Sequence, residues 1–232
     1  MTNLYNPTKA STCVTYQPIN NNDIMKKDLY TIFPPQLVEA IKFLNQTKIT
    51  LCETHEDGRY NSTIDEDTII TLLEEKYGEE NIERPPARWW WDVKIFGYFC
   101  NIKSSTFKTA DNFSSKQAVL WALTDLTEDE IVKVRDWQTF QYYLKERGKK
   151  ENNRDYYCVV LNKITNEVHL TSLKTLYALT PNGNNLLFQI NWGRNTNPVL
   201  RTHSEAYAFL VGTYKKSVEK KIGVHGGYET LL

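Results

Sequence analysis

Three polar residues near the middle of the chain have the types and spacing of a metal site directed at phosphate. Asn101 and Lys103 are two residues apart in a strand-like run, so on a β-strand their side chains point to one face. Asp92 lies nine residues earlier, across a tight turn that Gly97 predicts, and can point toward the same place. Together they would offer oxygen ligands for a hard cation beside an ammonium group.

This combination suits the hydrolysis of a phosphodiester. Mg²⁺ needs only one or two protein carboxylates when phosphate oxygens and waters complete its shell. Such an ion acidifies a bound water and neutralises charge on a phosphoryl group during transfer, while Lys103 would orient the water or stabilise developing negative charge. The spacing alone is weak support, because these residue types recur by chance on many solvent-exposed hairpins.

Helices and strands predicted on both sides of this hairpin would position it. The fold class is therefore a mixed α/β (α+β) arrangement, with a central mixed β-sheet flanked by helices. The segment at 55–63 is expected to be a polar loop, with a helix following it up to Gly78. Further helices are predicted at 34–46, 114–126, 128–148 and 203–221, and further strands at 155–163, 167–176 and 179–193.

The composition narrows the function classes. The chain has 28 basic and 28 acidic residues among 232, which argues against a protein that coats nucleic acid indiscriminately. Four scattered cysteines without a CxxC pair exclude a zinc-site spacing and favour a reducing compartment. A polar N-terminus and the lack of a long apolar run predict a cytoplasmic protein without a membrane span.

The segment WDVKIFGYFCNIKSSTFKTADN (91–112) resembles the core of type II restriction endonucleases of the PD-(D/E)xK nuclease superfamily. In that family an Asp begins one hairpin strand and an acid-x-Lys motif lies on the next. Asp92 matches the first Asp and Lys103 matches the lysine. Asn101 stands where the family has its second acid, and Trp91 stands in place of the proline. The segments DGRYNSTIDED (57–67) and FQINWGRNTNPVLR (188–201) are similar to stretches that flank the core in some of these enzymes.

The resemblance implies a restriction-endonuclease-like core and a site-specific, Mg²⁺-dependent deoxyribonuclease. A single nuclease domain would comprise a loosely structured arm at 1–30, a catalytic core at 31–126, and further strands, helices and DNA-recognition elements at 127–232. Glu66 would add a carboxylate from the preceding helix, with Asp65 and Asp67 as alternatives because the first turn cannot be phased from sequence. The implied partners are double-stranded DNA, a second copy of the chain, and a host DNA methyltransferase that protects the same site.

Asn101 leaves three interpretations open. Its amide oxygen can ligate a metal without contributing charge. Alternatively, it is a deliberate substitution that inactivates the enzyme, or it marks a natural relative that binds DNA without cutting it. A structure-specific repair or junction-resolving nuclease of the same superfamily is the other enzyme that the sequence allows.

Polar loops and strand ends supply the expected DNA contacts. Arg59 and Asn61 are predicted to meet the sugar–phosphate backbone, and Ser105 lies at the end of the strand that carries Lys103. The later segment offers side chains that read base edges, contact phosphates or simply form a turn; these are Arg194, Asn195, Asn197 and Arg201. In the run RWWW (88–91), the tryptophans are expected to pack in the core; under the nuclease interpretation, one of them lines a DNA cleft.

Overall fold

The structure is a computed structural model that describes residues 29–50 and 58–225, without the side chains of residues 58–61 and 224–225. The predicted N-terminal arm therefore lies outside the described residues except for its last two positions. The helices are α1 (Pro35–Gln46), α2 (Gly58–Tyr77), α3 (Lys116–Leu123), α4 (Glu128–Ile131), α5 (Trp137–Arg147) and α6 (His203–His225). The strands are β1 (Ile82–Glu83), β2 (Val93–Ile95), β3 (Tyr98–Ser105), β4 (Ala110–Phe113), β5 (Tyr157–Asn162), β6 (Val168–Ser172), β7 (Thr180–Pro181) and β8 (Phe188–Asn191).

Two sheets are present in the described part of the chain. The larger has five strands in the order β1-β2-β3-β5-β6 and is mixed, because β3 and β5 are parallel while the other neighbours are antiparallel. The smaller has the order β4-β8-β7 and is antiparallel. The predicted fold class, a mixed α/β arrangement around a central mixed sheet, is confirmed.

The large sheet is buried on both faces. Alternate residues of β3 enter different hydrophobic clusters: Phe99 packs into one, whereas Cys100 and Ile102 pack into the other. Helices α1 and α2 complete the cluster around Ile102, and α3, α5, α6 and the small sheet complete the cluster around Phe99. Asn101 and Lys103 share the Phe99 face by alternation, at the place where that cluster gives way to polar side chains.

The predicted hairpin is confirmed. Strands β2 and β3 pair antiparallel, with Val93 opposite Cys100 and Ile95 opposite Tyr98. The two turn residues, Phe96 and Gly97, have φ values of 50° and 81°. Two consecutive positive φ values are the mark of a tight hairpin turn, and a glycine takes that conformation without a Cβ clash.

Two boundaries differ from the prediction. The 55–63 segment is not wholly a loop, because α2 already begins at Gly58. The first residues of α2 are polar and show no apolar periodicity that would predict a helix. The single helix expected at 128–148 is two helices, since the Asp136 side chain accepts the Thr139 N–H at 2.7 Å and starts α5. Ile131 and Phe140 are buried on both sides of the break, so the apolar pattern runs through it.

The region after residue 105 also contains more strands than predicted. Strand β4 was not predicted at all, because ADNF is short and mostly polar. The strand expected at 179–193 is divided into β7 and β8, which lie on the same small sheet. None of the helices in residues 29–50 and 58–225 combines the length and apolar character needed to cross a bilayer.

Asp155 ties the start of β5 to the loop after β6. Its Oδ1 accepts the N–H groups of Tyr156 at 2.7 Å and Lys174 at 3.3 Å. Burial raises the pKa of this carboxyl from 3.8 to about 6, although Ser172 and the Lys174 charge oppose the rise. Ionised Asp155 is therefore less favourable in the folded protein than in the unfolded chain.

Replacing Asp155 with Asn tests this linkage. Because the folded-state pKa is raised, the stabilising effect of the bound proton is complete below 3.8 and is lost as the pH rises to about 6. The free energy of unfolding of the wild type should therefore decline over this window relative to that of Asp155→Asn, which keeps an acceptor oxygen but does not ionise. Urea unfolding of both proteins at a series of pH values measures the difference; a constant difference would contradict the assignment.

Candidate active site

A cavity of about 390 Å³ opens beside the β2–β3 hairpin. We call it the hairpin cavity. Asp92, Asn101 and Lys103 line it together, so the structure brings the three predicted residues to one place. Its remaining walls come from the segment before β2, from β4 and the start of α3, from the α4–α5 connection, and from the residue before β5. The residues of these walls are Arg88, Trp89, Trp90, Asn112, Phe113, Ser114, Ser115, Gln117, Val132, Arg135 and Tyr156.

Backbone hydrogen bonds fix Asp92 at the mouth of the hairpin. Its N–H donates to the Cys100 carbonyl at 3.0 Å, which extends the β2–β3 ladder by one residue. Its Oδ2 accepts the Ile102 N–H at 2.8 Å and the Asn101 Nδ2 at 2.5 Å. The buried Tyr156 hydroxyl donates to the Trp90 carbonyl at 3.0 Å and so holds the segment that leads into Asp92.

Lys103 and Glu66 form an ion pair between β3 and α2. The Lys103 Nζ donates to the Glu66 Oε1 at 3.1 Å, and both side chains are partly buried. Burial raises the pKa of Glu66 and of Asp92, and the charge of Lys103 opposes both rises. Burial also works to lower the pKa of Lys103, but the charges of Glu66 and Asp92 outweigh it and leave that pKa raised. Lys103 is therefore an ammonium ion at neutral pH.

The first-turn acids that the sequence could not phase have three different environments. Glu66 contacts Lys103, as the resemblance implied. Asp65 is fully buried, and its Oδ2 accepts the Ser104 hydroxyl at 3.0 Å and pairs with the Lys163 Nζ at 2.9 Å. Asp67 is exposed and pairs with Arg84 at the surface. Of these three, Glu66 alone is bonded to a cavity-lining side chain.

The donor set fits a magnesium ion that keeps much of its shell as water and phosphate oxygen. Asp92 supplies a carboxylate, Asn101 supplies an amide oxygen, and Glu66 supplies a second carboxylate beside Lys103. Among the described residues, no three His, Cys, Asp or Glu side chains form a metal-binding group. An all-carboxylate site is thus not built here, which agrees with the amide at position 101.

Several predicted DNA contacts are placed where they serve the fold. Asn195 is 2% exposed, and its amide bonds the Ala178 backbone and the Asn191 carbonyl. Arg201 donates to the Leu176 carbonyl at 2.7 Å and lies over a phenylalanine ring. Ser105 is 7% exposed and accepts the N–H of a neighbouring residue. Asn195 and Ser105 are thus buried and Arg201 is partly exposed, and the DNA contacts expected of the three stay predictions.

The other predicted contacts stay predictions. Arg194 and Asn197 are exposed at the surface and do not line the hairpin cavity. The side chains of Arg59 and Asn61 lie outside the described residues, although the backbone places both in the first turn of α2.

Sequence reasoning missed Arg88 and Arg135. Both line the hairpin cavity, and neither makes a hydrogen bond or ion pair within the part of the chain that the structure describes. Arg88 has a φ of 63°, a conformation that a non-glycine residue adopts at an energetic cost. The tryptophans that follow it divide: Trp91 is buried in the core, whereas Trp89 and Trp90 line the cavity. The RWWW run marked this place, but nothing in the sequence singled out Arg135.

Comparisons with known proteins give little. No protein-family model and no curated protein matches the chain. Among solved structures, a restriction endonuclease in complex with substrate DNA aligns at 20% sequence identity and a TM-score of 0.26. The alignment covers 61% of this chain and 55% of that one, so this chain spans about half the length of the neighbour. A similarity this low decides neither fold nor activity, and the geometry of the hairpin cavity has to carry the functional conclusion.

The contrast between Asp65 and Asp67 predicts very different stability effects. Asp65→Ala leaves the Lys163 ammonium without its buried partner, so we expect it to lower the free energy of unfolding by about 3 kcal/mol. Asp67→Ala removes an exposed ion pair and should cost less than about 1 kcal/mol. Chemical denaturation of both variants measures this, with the wild type as reference. Equal effects would show that the burial of Asp65 has been misassigned.

Proposed function

We propose that this chain is a Mg²⁺-dependent endonuclease that hydrolyses phosphodiester bonds of double-stranded DNA. One observation carries the proposal: Asp92, Asn101 and Lys103, from the two strands of one hairpin, line a single cavity, and Glu66 is bonded to the lysine. A paired acid and ammonium beside a second acid is a donor set for a hard cation and a phosphate together.

Each residue has a chemical role in this proposal. Asp92, with the Asn101 amide oxygen and Glu66, would hold the ion. When bound, Mg²⁺ would supply an acidified water and a counter-charge for the phosphoryl oxygens. Lys103 does not act as a base, because its raised pKa keeps it protonated. Its N–H groups instead orient the attacking water and stabilise negative charge that develops on the phosphate.

The cavity walls support DNA as the substrate. Arg88 and Arg135 bring two guanidinium groups to the cavity that holds Asp92 and Lys103. Guanidinium groups bind phosphate oxygens in a forked geometry, and the described protein residues do not compete for either of them. We assign them to phosphates next to the scissile one. Trp89, which is 37% exposed, offers an apolar surface at the same wall.

Site specificity and partners form the further part of the proposal. A short palindromic site would be cut by two copies of the chain related by two-fold symmetry, with one strand cleaved by each copy. A methyltransferase that modifies the same site would then be required to protect host DNA.

A second candidate is a protein that binds DNA without cutting it. The observation that favours it is the 2.5 Å hydrogen bond from the Asn101 Nδ2 to the Asp92 Oδ2. An acid at this position would repel Asp92 and share a cation with it, whereas the amide satisfies the carboxylate without any metal. On this proposal Asn101 is the residue that silences the site.

Cleavage of duplex DNA in the presence of Mg²⁺ tests the first candidate. Lys103→Ala and Asp92→Asn should each lower the rate by about 100-fold or more, because the first removes the ammonium that stabilises negative charge on the phosphate and the second removes a carboxylate that holds the ion. Lys145→Ala, which removes an exposed lysine from α5, is the matched control and should cut like the wild type. Discrete fragments are expected from a linear plasmid, and none should form in EDTA. Preference for branched over plain duplexes would instead indicate a structure-specific nuclease.

The substitution Asn101→Asp separates the two candidates. If the native site is active with an amide, the added carboxylate should tighten Mg²⁺ dependence, so that the half-maximal rate is reached at a lower metal concentration. If the native site is silent, Asn101→Asp should create cleavage where the wild type shows none. Rates measured over a magnesium titration give the answer. Loss of an existing activity in Asn101→Asp would contradict both roles assigned to this residue.

A further inference from the structure

Three amide side chains form a hydrogen-bonded group at the edge of the hairpin cavity. Asn112 on β4 faces Gln189 on β8 in the strand register, and Asn182 follows β7. The Asn112 Oδ1 accepts both the Asn182 Nδ2, at 2.8 Å, and the Gln189 Nε2, at 3.1 Å. We call these three residues the amide group.

Two backbone N–H groups fix the orientation of the whole amide group. The N–H groups of Asn184 and Asn185 donate to one side-chain atom of Asn182, at 3.1 and 3.2 Å. A backbone N–H only donates, so this atom is the Asn182 oxygen and its nitrogen faces Asn112. That nitrogen requires an oxygen on Asn112, and the Asn112 oxygen in turn requires the nitrogen of Gln189. The order of donors and acceptors is therefore set without regard to any ligand.

This orientation leaves one donor and one acceptor on two cross-strand neighbours, Asn112 and Gln189. The Asn112 Nδ2 and the Gln189 Oε1 make no hydrogen bond within residues 29–50 and 58–225. Asn112 is exposed, and it lines both the hairpin cavity and a second cavity of about 420 Å³. The second cavity is also polar, with Ser114, Trp137, Asn184, Asn185, Leu186 and Lys221 in its walls. Asn112 thus lies at the hairpin cavity, to which the scissile phosphate is assigned, and Gln189 is its bonded cross-strand neighbour.

We propose that Asn112 and Gln189 read one base edge beside the hairpin cavity, and that the base is adenine. In the major groove, adenine presents the N7 acceptor and the N6 amino donor side by side. The Asn112 NH₂ complements N7, and the Gln189 carbonyl complements the amino group. Asn182 acts as a positioning residue, since it orients the pair without reaching the base. This inference rests on the proposed function in one respect only, that the ligand is double-stranded DNA.

The isosteric variant Asn112→Asp separates recognition from structure. An aspartate keeps an oxygen for the Asn182 and Gln189 donors, so the small sheet should stay folded, but it removes the NH₂ that meets adenine N7. Ser114→Asp is the matched control, because Ser114 lines the same two cavities and the substitution adds the same charge. Selection from a random duplex pool in EDTA, followed by sequencing, gives base preference at every position without cleavage.

The wild type should select a site that contains an A·T pair at one fixed position. In Asn112→Asp and in Gln189→Ala, the preference for A·T at that position should fall by about 5- to 100-fold. Ser114→Asp should weaken binding to all sequences by a similar factor and leave the preferences unchanged, as expected for a charge near phosphates. Unchanged preferences in Asn112→Asp, or the same loss in Ser114→Asp, would overturn base reading by the amide group.

The outcomes also separate this inference from the nuclease proposal. A wild type that selects a site but does not cut with Mg²⁺ refutes the endonuclease and leaves the base reading intact. If the wild type cuts and Asn112→Asp cuts the same site with the same base preference, the base reading alone is refuted. A wild type that selects no duplex and does not cut with Mg²⁺ refutes both. If the midpoint temperature of thermal unfolding is the same for Asn112→Asp as for the wild type, a lost base preference is not caused by unfolding.

Discussion

The ammonium group of Lys103 is the interaction on which the candidate site depends. Glu66 and Asp92 are two partly buried carboxyl groups near Lys103, and burial by itself raises the pKa of each. Lys103 lies between them electrostatically: it bonds Glu66 at 3.1 Å and lowers the cost of ionising both. The two carboxylates in turn raise the pKa of the lysine, so the ammonium and the carboxylates each favour the charged form of the other.

Asn101 sets the charge balance of this group. Two carboxylates and one ammonium leave one net negative charge, whereas an acid at position 101 would leave two. The amide therefore weakens the attraction for a divalent cation and, at the same time, removes a repulsion that the apo site would have to bear. Arg88 and Arg135 add positive charge at the walls of the same cavity, so the site as built is better matched to a polyanion than an all-acidic site would be.

The small sheet has a role distinct from that of the large one. The large sheet holds Asn101 and Lys103 on β3, and Asp92, which directly precedes β2, accepts the Ile102 N–H of β3. The small sheet brings residues from positions 112, 182 and 189 together beside that cavity and orders their amides through two backbone N–H groups. If the proposed function is correct, chemistry and recognition would thus rest on different strands.

The hairpin turn, the shared face of β3 and several helices follow from local sequence patterns. Gly97 and the apolar alternation around it specify the hairpin, and residue spacing alone puts Asn101 and Lys103 on one face of β3. Helical periodicity likewise identified α1, α3 and α6, although it ran through the break at Asp136, where a side-chain cap rather than hydrophobicity ends one helix and starts another.

The packing of helices against the sheets determines which polar residues lie at the candidate active site. The sequence does not distinguish the three consecutive acids at 65–67. Their environments differ because α2 packs on β3 in one orientation, which buries Asp65, turns Glu66 toward Lys103 and exposes Asp67. Asn195 and Arg201 have the chemistry of DNA contacts, yet the packing of their own loop uses their polar groups. Arg135 and Asn112 reach the hairpin cavity from distant segments, and Gln189 reaches Asn112 in the same way. Long-range proximity of this kind has no local signal in a single sequence.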